Sequence, residues 1–392
     1  MHLVKKRSVA VVACAALVAG LCVTATGIAS NKSGGISVGS LNRNFTAMAS
    51  LKSVVKAGSG KIGVILPDTV SSARYTEFDA PYLKRAFTAA GMPAADFSIQ
   101  NAQGSDTTQL TDAQADISKG AKVLVVDPLD SGVGARIESY AKSHGVKVVD
   151  YDRLTLGGSR KYYVSFNNVR VGTLLGTGLV NCVAAWHVSH PNVIVMRGAP
   201  TDNNATLFFN GYSAVLKPLF KSGKWTNVAN PAGTWTPTVA ATEFQQALTA
   251  HKNANSALIP NDENGAPIIQ FLQTEKVKPK TFPLTGQDAT LIGLQNIVSG
   301  YQCGTVYKPI YLEAQAAAAL AIYLRAGKTP PAALVNGKTA DTVAHTSVAS
   351  VLLPPVWVTP TNMKKTVIAD GFVSRKQLCT TKFAGDCKKY GI

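Results

Sequence analysis

From Lys61 onward the chain alternates short apolar runs rich in β-branched residues with longer stretches of helical period. That rhythm predicts a parallel sheet covered by helices. The strand candidates are "KIGVILP" (61–67), "FSIQNA" (97–102), "AKVLVVDP" (121–128), "VKVVDYD" (146–152) and "YYVSF" (162–166). A second set follows in "NVIVM" (192–196), "TNVANPA" (226–232), "SALIPND" (256–262), "FPLTGQD" (282–288) and "GTVYK" (304–308). Helical stretches such as "APYLKRAFTAAG" and "AATEFQQALTAHKN" lie between them. The 392 residues are long for one core, and two sets of strands predict two similar open α/β sheets. After Pro330 the chain turns proline-rich, and "LLPPVWVTP" reads as extended backbone. Before Lys61, residues 31–60 read as a flexible tether of Ser, Gly, Lys and Asn, with a short helix near "FTAMASLKSVVKA".

The first thirty residues follow different rules. Lys5, Lys6 and Arg7 precede the apolar run "SVAVVACAALVAGLCVTATGIAS", and small residues at Gly27 and Ala29 suit a cleavage site. This reads as an export signal. The run is also long enough to span a bilayer if it stays attached, so a membrane anchor is the alternative. A lipid on Cys22 is disfavoured by the bulky Leu21 before it. Of the six cysteines, Cys182, Cys303, Cys379 and Cys387 belong to the exported part. Four thiols allow three pairings. The short Gly-containing loop between Cys379 and Cys387 favours that disulfide, which leaves Cys182 and Cys303 as a second pair or as two buried thiols.

Net charge is +17, of which Lys5, Lys6 and Arg7 supply three, leaving +14. The basic residues are scattered and form no aromatic-rich stripe, so nucleic acid is not the expected partner. A cation-rich exterior attracted to anionic cell-surface material is the milder expectation. His187 and His190 in "HVSH" fall at a helix end with no cysteine or carboxylate beside them, so no metal site is expected there.

The polar residues cluster by position. Asp68 follows the first candidate strand, Asp127 and Asp130 the third, and Asp152 and Arg153 the fourth. Asp202 and Asn204 follow the sixth, Asn261 and Asp262 end the eighth, Asp288 the ninth and Lys308 the tenth. In open parallel sheets, ligands bind beyond the carboxyl ends of the strands. One aspartate there is ordinarily a turn former or a helix cap; a whole edge of them, with Arg74 and Lys308, suits polyhydroxylated ligands, because hydroxyls donate and accept together. Tyr75 and Trp235 are candidate plates for the C–H face of a sugar ring. Arg74, Arg153 and Lys308 balance Asp152, Asp202 and Asp288, which favours a neutral ligand over a phosphorylated one. After the first strand, "LPDTVSSARY" has neither a GxGxxG nor a P-loop pattern, so no nucleotide cofactor is expected. Catalysis is not expected either. Glu263 and Glu313 are the glutamates near these segments, and neither has an evident acid environment.

"GVILPDTVSSARY", "VVDPLDSG", "VVDYDRLTLGG", "YYVSFNN", "APTDNNATLF", "IPNDENG", "TGQDA" and "TVYKPI" resemble, in this order, the D-xylose-binding proteins of bacterial sugar ABC transporters. The resemblance implies the type I periplasmic-binding architecture, with two Rossmann-like lobes joined by crossing strands and a sugar in the cleft. It implies an N-terminal lobe of 61–165 plus about 303–350, and a C-terminal lobe of 166–302 plus about 351–392. It carries sugar contacts onto Arg74, Asp152, Arg153, Asp202, Asn204, Trp235, Asn261, Asp288 and Lys308, with Asn203 capping the following helix. It also implies a monosaccharide ligand, an ABC permease as partner, and a place at the periplasmic or extracellular face of the membrane. A sensory role, with the ligand presented to a membrane kinase or chemoreceptor, is the alternative. Two departures, Tyr75 where relatives carry Trp and Asn167 where Asp is common, leave the choice of sugar open.

Overall fold

A computed structural model of the protein describes residues 35–392; the expected export signal lies outside the described residues. The first lobe is built on a seven-stranded sheet. Its strands are β1 (Lys61–Leu66), β2 (Phe97–Asn101), β3 (Ala121–Val126), β4 (Lys147–Tyr151) and β5 (Tyr162–Phe166). The second lobe contains β6 (Asn192–Val195), β7 (Thr226–Ala229), β8 (Ser256–Leu258) and β9 (Thr305–Tyr307). The tail adds β10 (Gly337–Asp341), β11 (Thr346–Leu353) and β12 (Val356–Val358).

The first sheet runs β10-β11-β5-β4-β3-β1-β2, parallel throughout except for the antiparallel β10–β11 hairpin at its edge. In the second lobe β7-β6-β8 is parallel. It continues through the extended segment 282–288, which bridges β8 at Leu284 and β9 at Gln287, and ends at β12 antiparallel to β9. Pro283 and the turn that follows keep this segment from making a full ladder. Both lobes therefore share the 2-1-3-4-5 order of doubly wound folds, whose ligands sit where the order reverses. The strands are nearly all-apolar runs because helices cover both faces.

Three expectations change. The tether is folded over residues 35–57. Ile36, Leu41, Phe45, Met48 and Leu51 are at most 7% exposed and join the main core. Their spacing gives helices over Thr46–Leu51 and Lys52–Ala57 one apolar face, and Gln315 donates to the Asn42 carbonyl. The lobe boundary near 303 shifts to 308–309, because Thr305–Tyr307 pairs with β12 in the second lobe. The tail from Pro330 is more than extended chain, since it supplies the β10–β11 hairpin of the first sheet. The chain thus crosses between lobes after Phe166, at Lys308–Pro309 and at Pro354–Pro355.

One buried carboxylate organises the second lobe beneath the cleft. Asp262 accepts hydrogen bonds from the Thr290 backbone N–H, the Thr290 and Thr305 hydroxyls and the Gln302 amide. Gly286 and Gly293 press against it, and a Cβ at either would overlap its carboxylate. Burial pushes Asp262 up to about 7, against the hydrogen bonds it accepts. Its folded value lies above its unfolded one, so its contribution is complete below about pH 4 and is lost as pH rises through about 7. Asp262→Asn should flatten the fall in melting temperature between pH 4 and 7; an identical slope in the variant would contradict this assignment.

Cys182 pairs with Cys303 and Cys379 with Cys387, at sequence separations of 121 and 8. The first bridge ties the helix Asn168–Ala185 to the entry of β9. Loop-closure entropy assigns about 5 kcal/mol to the long loop and about 2.5 kcal/mol to the short one. Calorimetry should show a larger loss of melting temperature for the Cys182→Ala/Cys303→Ala pair than for Cys379→Ala/Cys387→Ala. The reverse order would overturn this reading.

Candidate functional site

The ten residues singled out above line one cavity between the lobes: Arg74, Tyr75, Asp152, Arg153, Asp202, Asn204, Trp235, Asn261, Asp288 and Lys308. In this closed form its free space is only about 20 Å³, on the scale of one water, so a ligand enters only as the lining moves apart. Each residue arrives at the carboxyl end of a strand. Arg74 and Tyr75 follow β1, and Tyr75 opens a π-helical turn, Tyr75–Asp79, that runs into the helix Ala80–Ala89. Asp152 and Arg153 follow β4 and Lys308 follows β9. Asp202 and Asn261 are the N-caps of the helices Asn203–Lys221 and Asp262–Thr274.

The cap of the first of these helices is thus Asp202, whose carboxylate accepts from the Asn204 N–H, rather than Asn203. A carboxylate at N-cap suits the positive end of the helix, and Asn203 becomes the first helical residue.

The electrostatics start from Arg74, which is 2% exposed. Its Nε and Nη2 donate to Asp79 at 2.8 Å each, its Nη1 to Asp152 at 2.8 Å and its Nη2 to Glu313 at 2.5 Å. Four of its five N–H donors are therefore committed, so Arg74 mainly positions Asp152. Tyr75 donates its hydroxyl to the other Asp152 oxygen at 3.2 Å and accepts from Arg153 at 3.1 Å. Lys308 lies 3.0 Å from Asp288 and 3.8 Å from Asp152. Burial alone would push Asp152 up, but Arg74, then Lys308 and Arg153, hold it down at about 2. Asp202 moves the other way: burial raises it, opposed by Arg153 3.6 Å away. The Lys308 ammonium stays charged because Asp288 and Asp152 outweigh its desolvation.

Trp235 is half-buried and donates its indole N–H to Asp202 at 3.0 Å. Its ring lies against Gly198, where a Cβ would collide with it, and edge-on to Phe208 at 6.4 Å. Asn204 donates to the Asp152 carbonyl and accepts from Tyr163 and Asn168. Asn261 donates across the cleft to the Ser71 carbonyl at 3.0 Å. Glu263 accepts from the Ala73 N–H at 2.9 Å and the Ser72 hydroxyl at 3.1 Å, and Ser72 also donates to Asp288 at 3.0 Å. These bonds join the two lobes directly, so the structure is a closed form.

Sequence reasoning passed over Ser71, Ser72, Phe208 and Gln287 in the lining. Phe208 had a signal, being one helical turn beyond Asn204 on the same face. Glu313 and Glu263 differ from expectation. Burial pushes Glu313 up to about 8 despite Arg74, and burial with Asp288 pushes Glu263 well up. Both therefore do have proton-holding surroundings. Yet neither lines the cavity: Glu313 is spent on Arg74 and Glu263 on the opposite lobe. The arrangement binds and orients; it does not place an acid and a base across a reacting bond.

Two aspartates of the site have positive φ, Asp152 at 55° and Asp288 at 86°. Each ends the fourth strand segment of its lobe. Such backbone costs on the order of 1–3 kcal/mol per residue and persists where surroundings over-determine it. Here the Tyr163 hydroxyl and the Asn204 amide hold the Asp152 carbonyl, and the Asp288 N–H donates to Val306.

Residues 62–329 match the periplasmic binding protein domain family. The D-xylose-binding periplasmic protein of Escherichia coli is 36% identical over 285 residues, 71% of this chain and 82% of that protein. The multiple sugar-binding periplasmic receptor ChvE of Rhizobium radiobacter is 29% identical, covering 82% of this chain and 93% of the receptor. Among solved structures, a carbohydrate transporter solute-binding protein from Chloroflexus aurantiacus in complex with D-glucose superposes with a TM-score of 0.71 at 27% identity, over 81% of this chain and 97% of that one. The fold, the site at its topological switch point and these likenesses agree: the chain belongs to the periplasmic binding protein family, among the non-enzymatic sugar-binding proteins of ABC transporters.

Proposed function

We propose that the protein captures a neutral aldose, D-xylose first among the candidates, in the cleft between its lobes and delivers it to an ABC permease. The observation that carries this reading is the charge balance of the cleft. Arg74, Arg153 and Lys308 are each matched to a carboxylate within 4.0 Å, so an ionic ligand would bring an uncompensated charge into a buried site. A polyol can instead insert hydroxyls that accept from Arg153 and Lys308 and donate to Asp202, Asp152 and Asp288. Trp235 and Tyr75 supply ring faces. The names of the relatives at 36% identity favour the pentose. The glucose-bound structures of similar fold favour a hexose as the second reading.

Hydrogen bonds to charged groups contribute about 1.5–3 kcal/mol each, while a micromolar complex amounts to about 8 kcal/mol in all. Several such contacts would exceed that total, so most of the gain offsets desolvation and lost ligand freedom. The ligand shifts the lobes toward closure only through contacts made in the closed state. In this reading the Asn261–Ser71 and Glu263–Ala73 bonds close the cleft over the sugar, and the closed form is what the permease recognises. Export is part of the proposal: the relatives are periplasmic proteins by name, and among the described residues no helix is long and apolar enough to cross a membrane.

Isothermal titration should give saturable binding of D-xylose or D-glucose and none of their phosphates; tighter binding of a sugar phosphate would sink the neutral-ligand reading. Asp288→Ala should weaken the preferred sugar by about 10- to 100-fold, the loss of one charge-assisted contact. Its circular dichroism should stay unchanged. Wild-type affinity in that variant would remove Asp288 from the site.

A further inference from the structure

A second concavity lies in the same lobe, behind the loop that carries Asp202 and independent of the sugar reading. It holds about 450 Å³ and lies between the helix Asn203–Lys221 and the edge strand β7. Phe209, Tyr212, Leu216 and Phe220 face it, at steps of three and four residues that form one helical stripe. Tyr212 and Leu216 are buried, while Phe209 and Phe220 stay half-exposed.

The charge in this groove is of one sign. Arg197 and Lys217 line it and no carboxylate does. Among the described residues neither cation has an ion-pair partner. The Arg197 guanidinium rests over the Phe209 ring at 4.2 Å instead. Everywhere in the sugar cleft an arginine is matched by an aspartate; here a half-buried arginine is left with an aromatic face.

We propose that this groove is a binding site for a small amphipathic carboxylate, an organic acid with an aromatic or branched apolar body. The apolar body covers the Phe209–Phe220 stripe, and the carboxylate pairs with Arg197 and Lys217 at the mouth. A guanidinium offers a carboxylate two parallel donors, and the half-buried Arg197 is screened less than a fully exposed cation. The groove also touches the sugar site through the backbone. The Arg197 carbonyl accepts from the Thr234 N–H at 3.2 Å, and Gly198 is the floor beneath Trp235. Phe208, beside Phe209 on the same helix, lines the sugar cavity. An acid that draws Arg197 away from Phe209 therefore acts on the loop that holds the Trp235 plate.

The probe is naphthalene-2-carboxylate, with naphthalene-2-carboxamide as its uncharged counterpart, titrated into the full chain by calorimetry. The expected result is saturable one-to-one binding of the acid, at least about 10-fold tighter than the amide, the scale of one charge-assisted contact. Binding should weaken by a similar factor in Arg197→Gln and, as a surface change that leaves the fold untouched, in Lys217→Gln. Equal binding of acid and amide, unchanged binding in both variants, or no saturable binding of the acid would each overturn the proposal.

Discussion

The structure turns on one chain of buried charges, Arg74–Asp152–Lys308–Asp288, which starts in the first lobe and ends in the second. Taking any one of these ions out of water is costly, and each is tolerated because the next supplies the opposite charge. The consequence is visible in Asp152. It is almost fully buried, yet it is held down at about 2, with Arg74 and Lys308 on either side. A cleft pre-paired in this way has no net charge to offer, which is why its preference runs to uncharged, hydroxyl-rich molecules.

The same chain couples recognition to shape. Lys308 stands where the backbone crosses between lobes, and Asp288 takes a hydrogen bond from Ser72 of the opposite lobe. Moving the lobes apart would break that bond, the Asn261–Ser71 bond and the Glu263–Ala73 bond together. Closure thus includes these polar contacts around the cavity. A small ligand decides between the two states by the contacts it adds in the closed one.

Much of this was legible in the sequence because parallel sheets impose position. Once strands are placed, the residues just past their carboxyl ends share one edge; Asp152, Arg153, Asp202, Asn204, Asn261, Asp288 and Lys308 from that edge line one cavity, whereas Asp68, Asp127, Asp130 and Asp262 do not. The legible part ended where partners come from far along the chain. Nothing near Arg74 in sequence announces Glu313, 239 residues away, and the positive φ of Asp152 and Asp288 has no local signal for a non-glycine residue. Residues 35–57 read as a tether by their polar composition, while their spacing is amphipathic: Leu41, Phe45, Met48 and Leu51 recur at helical intervals. The β10–β11 hairpin escaped because its edge strand, "GKTAD", alternates exposed and half-buried positions with little apolar content.

Hydrogen–deuterium exchange with and without sugar tests the central claim most directly. If one uncharged sugar is gripped by both half-molecules at once, D-xylose or D-glucose should slow exchange together at 71–75 and 152–155 in the first lobe and at 202–205, 261–264 and 288–290 in the second. Protection confined to one lobe, or found away from all of these segments, would contradict it.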